Sequence, residues 1–138
     1  GLLVLVTNFP EQYGEVLTNL RNDRVSVCDA ERAVFKASHE DVGAYLLGLW
    51  GVSDAIVVAV AYHHHPGERC QEGFSLLAAV HVANALEEAG DLNATSGIPT
   101  SIDYEYLTAC GLAKHVPLWQ EKACHSPARE SAAAPARS

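Results

Sequence analysis

The stretch Ser38–Glu68, SHEDVGAYLLGLWGVSDAIVVAVAYHHHPGE, decides how this chain folds. It opens on a helix start: Ser38 can accept from free amides of the first turn, and Asp41, three residues on, can reach back to it. The helix so opened carries Val42, Tyr45, Leu46, Leu49 and Trp50 on one side and stops at Gly51. Ser53 then starts a second helix, DAIVVAVAYHHH, which Pro66 and Gly67 end. The β-branched residues of that segment would suit a strand. Its apolar residues are continuous rather than alternating, however, and the flanking caps favour a buried helix.

Outward from this pair the pattern stays helical. Phe9, Tyr13, Val16, Leu17 and Leu20 recur at helical spacing, with Pro10 suited to a first-turn position. Arg21–Asp23 and the following RVSV end that helix, and CDAERAVF predicts a short one after it. Downstream, FSLLAAVHVANALEEAG is a helix stopped by Gly90, DLNATSGIPTS is a loop by composition, and IDYEYLTACG and VPLWQEKA predict short helices. The class is all-α, a bundle of about five to seven helices. Residues 1–120 form the domain, and residues 121–138, rich in Ala, Pro, Ser and Arg, read as a low-complexity mobile tail. The opening GLLVLV reads as an element cut in its middle, so the chain is expected to be a fragment. An exposed apolar face near Leu2–Val6, and with it self-association, follows from that expectation.

Composition excludes several classes. The 138 residues carry 17 acidic and 9 basic side chains, a formal net charge of -8. Without a Lys/Arg stripe, a nucleic-acid or anionic-membrane surface is not expected. No segment approaches the ~20 apolar residues of a membrane span. Cys28, Cys70, Cys110 and Cys124 lie far apart, with no CxxC pair, and read as reduced thiols of a cytoplasmic protein. Cys110, His115, Cys124 and His125 match no zinc-site spacing. The glycosylation sequon at Asn93–Thr95 would be idle in the cytoplasm.

The histidines are the polar groups with potential chemistry. His63 and His64 continue apolar lines of their helix, so at least one should turn toward the packed side. The plainer reading makes them a helix C-terminus, where imidazoles can bond free carbonyls and suit the negative end of the dipole. His81, Asn84 and Glu88 share a helix face, which reads most simply as a solvent face. His39 sits in the first turn of its helix, where Glu40 and Asp41 are the favourable residues. If these groups met, imidazoles and a carboxylate from successive helices could hold Fe, Mn or Zn beside a phosphate ester. Asn84 weakens that arrangement, because an amide is a poor, uncharged ligand.

In these motifs, SHEDVGAYLLGLWGVSDAIVVAVAYHHHPGE followed by AAVHVANAL, the chain resembles the second half of an HDOD domain, the HD-related output domain of bacterial signalling proteins. NFPEQYGEVL and DAERAVF fit the path into the same segment, and the likeness runs from about Gly1 to Leu118. The resemblance implies an HD-like helical core with the N-terminal helices of the domain missing, and a regulatory role on a degraded metal site. By it, His39 matches the histidine opening the helix after the family's His-Asp doublet. His63 and His64 match the paired histidines of the HD-GYP relatives, where a Glu stands in place of His65. Asn84 falls where active HD enzymes carry their last Asp ligand, and the doublet itself would precede Gly1. His39, His63, His64 and Asn84 are thus the vestigial metal site, and His65, His81 and Glu88 are candidates to line a pocket beside it. The resemblance also makes Trp50 and Gly51 a hydrophobic stop between packed helices.

Two functions of different class follow. One is a non-catalytic output module acting on a signalling protein, or on a covalently linked receiver or cyclic-dinucleotide-related domain, with no cofactor. The alternative is an HD-type phosphohydrolase using Fe, Mn or Zn on a nucleotide or cyclic dinucleotide, with His81 or Glu88 standing in for Asn84. A third reading, a nucleotide-sized sensor without turnover, lacks the basic residues that would meet phosphates.

Overall fold

The computed structural model describes residues 1–69, 72–90 and 101–124, and every regular element among them is helical. Eight α-helices run in order: α1 (Leu2–Asn8), α2 (Pro10–Asp23), α3 (Val27–Phe35), α4 (His39–Leu49), α5 (Asp54–Tyr62), α6 (Leu76–Gly90), α7 (Tyr104–Ala109) and α8 (Val116–Cys124). Short 3-10 turns occupy Pro66–Arg69 and Ala113–His115. The all-α bundle read from the sequence is therefore the fold, with one helix more among the described residues than the upper figure expected. The loop and sequon after Gly90, Cys70, and the segment from His125 onward lie outside the described residues. No described helix is long and apolar enough to cross a membrane.

Local chemistry explains the boundaries. Ser38 and Asp41 form a reciprocal capping box: Ser38 Oγ accepts from the Asp41 amide at 3.3 Å, and Asp41 Oδ2 accepts from the Ser38 amide at 2.8 Å. Ser26 caps α3 and Asp103 caps α7 in the simpler one-sided way. Gly51, at a φ of +70°, makes the left-handed turn that ends α4, a conformation costly for a side chain with a Cβ. The segment from Asp54 to Tyr62 is helical despite its β-branched residues, because α4 and α6 both pack on it.

The apolar side chains gather in two clusters rather than one. Leu5, Tyr13, Val16, Leu20 and Ala30 form the first, between α1, α2 and α3. Ala59, Leu77, Ala78, Val82, Tyr106, Leu107, Cys110, Leu112 and Val116 form the second, around α5, α6 and α7. The seam between them runs along α4, and here the structure corrects the sequence reading. Tyr45, Leu49 and Trp50 do share a side of α4, but that side is exposed, Trp50 at 72%. The buried residues of α4 are Glu40 and Gly43. Trp50 is therefore no stop between packed helices; a glycine contact and a carboxylate take the inward side. On α1, Leu2, Leu3 and Val6 are exposed while Leu5 is buried, which matches the expected apolar face.

Gly43 is where the chain passes closest to itself. A Cβ there would lie 2.9 Å from Val60 Cγ1 and 3.1 Å from the Gly1 nitrogen. Ala is the better helix former by about 1 kcal/mol, yet the added methyl would force α5 and the start of α1 away from α4. Gly43→Ala is expected to destabilise the fold by about 1–3 kcal/mol, read as a lowered urea midpoint. An unchanged or raised midpoint would show that this contact does not set the helix spacing.

Candidate functional site

Three helices deliver polar side chains to the seam. Cys28 and Glu31, one helical turn apart on α3, face the start of α4, where His39 and Glu40 stand. The turn after α5 supplies His63, which is its C-cap, and His64. Glu31 and Glu40 are both completely buried.

Glu31 is held from two directions. Its Oε2 accepts both the backbone amide and the Nδ1–H of His39, each at 2.7 Å, and its Oε1 accepts the Tyr13 hydroxyl at 3.0 Å. Burial alone would raise its pKa. The His39 bonds and charge, with help from Tyr13, outweigh burial and hold the carboxyl below its ordinary value. Burial, then the Glu31 charge, push the Tyr13 phenol upward, so it stays a donor.

Glu40 reaches across to α5. Its Oε1 accepts the His64 amide at 3.0 Å and lies 3.5 Å from His63 Nδ1. Its Oε2 accepts the Cys28 thiol at 3.3 Å and stands 3.8 Å from the half-exposed guanidinium of Arg32. Burial, followed by the Glu40 charge, raises the Cys28 thiol well above its ordinary value, which keeps it protonated.

The histidine rings divide into two kinds. His63 Nδ1 bonds the Val60 carbonyl at 2.9 Å, the C-terminal capping role of the plain reading. His64 Nε2 faces His39 Nε2 at 3.2 Å. Burial lowers the pKa of both His63 and His64, and the neighbouring imidazoles bring His64 down to about 4. These rings are neutral at physiological pH.

His81 departs from the sequence reading. It is 1% exposed rather than on a solvent face. Its Nε2 accepts the Asp103 amide at 2.9 Å, which places the ring proton on Nδ1, donated to the His63 carbonyl at 2.7 Å. Both nitrogens are committed to the backbone, linking the turn after α5 to the start of α7. Asn84 donates from Nδ2 to Glu88 Oε1 at 2.8 Å, so the shared face of these two residues exists as read. His65 is exposed.

Among the described residues, two groups of three ligand-type side chains bring their donor atoms within 4.8 Å of one another: Cys28, His39 and His64, and Cys28, Glu40 and His65. Neither includes His63, His81 or Glu88. An apolar groove lined by Phe74, Val82, Leu86 and Trp119 shares none of these side chains. Sequence reasoning passed over Cys28, Glu31 and the inward role of Glu40. The available signal was weak: Cys28 and Glu31 are one turn apart, beside Ala30, Ala33 and Val34.

A helical bundle with a histidine–carboxylate centre at the junction of three helices is the class this geometry defines. The family model described as the HDOD domain matches residues 1–66, which span α1 to α5 and contain His39, His63 and His64. The likeness covers just under half of the chain; His81, Asn84 and Glu88 lie beyond the matched segment. No curated protein and no solved structure matches the chain.

The shifted groups fix the sign of a pH dependence. His64 titrates near 6.5 when unfolded and near 4 when folded, so its contribution is complete above about pH 6.5 and is lost as pH falls toward about 4. His63 acts in the same direction, and Glu31 extends the loss to lower pH. The urea midpoint should therefore fall steadily on acidification from about pH 7 to about pH 4, and His64→Gln should flatten part of that slope. A midpoint independent of pH in this window would contradict the assignment of neutral, buried imidazoles.

Proposed function

We propose that this chain is a non-catalytic signal-output module of the HDOD kind, which passes an upstream state to a protein partner. The observation that carries the reading is the fate of the polar groups on α6. His81 spends both ring nitrogens on backbone groups, and Asn84 donates to Glu88 rather than supplying a charge at the imidazoles. An HD phosphohydrolase would draw its last anionic ligand from this helix. Phosphate would also need cations, and Arg32, the basic residue at the seam, already meets Glu40, Asp41 and Ser38.

A protein partner suits the exposed surface. The packed pair α1 and α4 exposes Leu2, Leu3 and Val6 on one helix and Tyr45, Leu49 and Trp50 on the other. Exposed apolar side chains on two packed helices offer contact surface to a partner protein. The partner is a signalling protein or a linked receiver or cyclic-dinucleotide-related domain, in the cytoplasm of a bacterium, with self-association as a further use of the same face. Neither nucleic acid nor membrane is expected at a chain with a net charge of -8.

The phosphohydrolase alternative draws support from the facing rings of His39 and His64. Incubation with Mn²⁺, Fe²⁺ or Zn²⁺ and either bis(4-nitrophenyl) phosphate or a cyclic dinucleotide separates the two readings. Release of product no faster than with metal and buffer alone is expected. Turnover that disappears in His39→Ala would overturn the non-catalytic reading.

A further inference from the structure

We propose that Cys28, His39 and His64 form a zinc site that ties α3, α4 and the turn after α5 together without turnover. The first support is geometric. The Cys28 sulfur and one ring nitrogen from each histidine lie within 4.8 Å of one another. The two facing Nε2 atoms are 3.2 Å apart. Nitrogens at about 2.0–2.1 Å from a tetrahedral zinc stand about 3.3–3.4 Å from each other, so these rings already hold the edge of such a polyhedron.

The second support is orientation. Glu31 Oε2 accepts the Nδ1–H of His39, which leaves the Nε2 lone pair facing the cluster. A carboxylate behind a ligating imidazole is the usual outer support of a zinc histidine. The third support is charge. Glu31 and Glu40 are completely buried, and the side chains that meet Glu31 are the His39 ring and the Tyr13 hydroxyl. A divalent cation between them would offset this buried negative charge.

Cys28 is supplied by neither the matched histidines nor the Asn84 position, and it determines the metal. A thiolate with two imidazoles prefers zinc to the harder Fe²⁺ or Mn²⁺. In the metal-free state the thiol donates to Glu40. On binding, the S–H bond breaks, sulfur donates its electron pair to zinc, and the proton leaves to solvent past the Glu40 carboxylate; the His64 Nε2–H that donates to His39 Nε2 in the metal-free state is also given up, His64 becoming the Nδ1–H tautomer so that both Nε2 lone pairs face the metal. Three protein donors leave the fourth position to water.

Cobalt titration of the untagged full chain under reducing conditions tests this directly. One equivalent of Co²⁺ should produce a thiolate-to-metal charge-transfer band and the intense visible bands of a tetrahedral ion, both abolished by Zn²⁺. Cys28→Ser should remove the charge-transfer band. Glu31→Gln should weaken zinc binding by about 10–100-fold. If Cys28→Ser fails to fold, X-ray absorption of the zinc-loaded natural chain still counts the ligands: one sulfur and two imidazoles support the site. No charge-transfer band in the folded chain, a band that survives in Cys28→Ser, or a zinc shell without sulfur would overturn it. None of these readouts involves hydrolysis, so the result stands apart from the non-catalytic reading above.

Discussion

Two carboxylates withdrawn from water set the terms for this fold. An ionised side chain in a protein interior loses several kcal/mol of hydration, and only a full set of donors makes that position tolerable. Glu31 and Glu40 have such sets. Glu31 is met by Tyr13 from α2 and by ring and backbone of His39; Glu40 is met by the His64 amide and the Cys28 thiol. Every donor comes from a different turn of chain from its acceptor. The bonds therefore specify how α2, α3, α4 and the end of α5 are placed, which non-directional apolar contact alone does not.

The rotation of α4 follows from this. With Glu40 obliged to face Cys28 and His64, the next inward position one turn on is Gly43, whose missing side chain lets Val60 and Gly1 approach. The large apolar residues Tyr45, Leu49 and Trp50 are left outside. A polar requirement has overridden the side that hydrophobicity would bury. The apolar clusters on either side are consequently distinct, with the hydrogen-bonded seam between them, and His81 fastens the second cluster to that seam through the His63 carbonyl.

Much of the fold was legible in the sequence because it rests on local rules. The Ser38–Asp41 box, the Gly51 stop and the His63 cap all depend on residues within about one turn of each other. The seam was not legible, because its partners are distant along the chain. Glu31 and Glu40 look like ordinary charged positions of short helices until His39 and His64 are brought against them. His81 looked solvent-facing for a similar reason: the Asp103 amide that buries it lies 22 residues away. The likeness to the HDOD family located His39, His63 and His64, while the carboxylates and thiol around them came only from the fold.

The central claim is that Glu40 couples the two apolar clusters into one cooperative unit. Native-state hydrogen exchange on the natural chain and on Glu40→Ala tests it most directly. In the natural chain the slowest amides of α2 and α6 should exchange with the same opening free energy. In Glu40→Ala the α6 amides should open through a separate, lower-energy route while those of α2 keep the higher protection. Equal loss of protection in both helices, or no loss in either, would contradict this account.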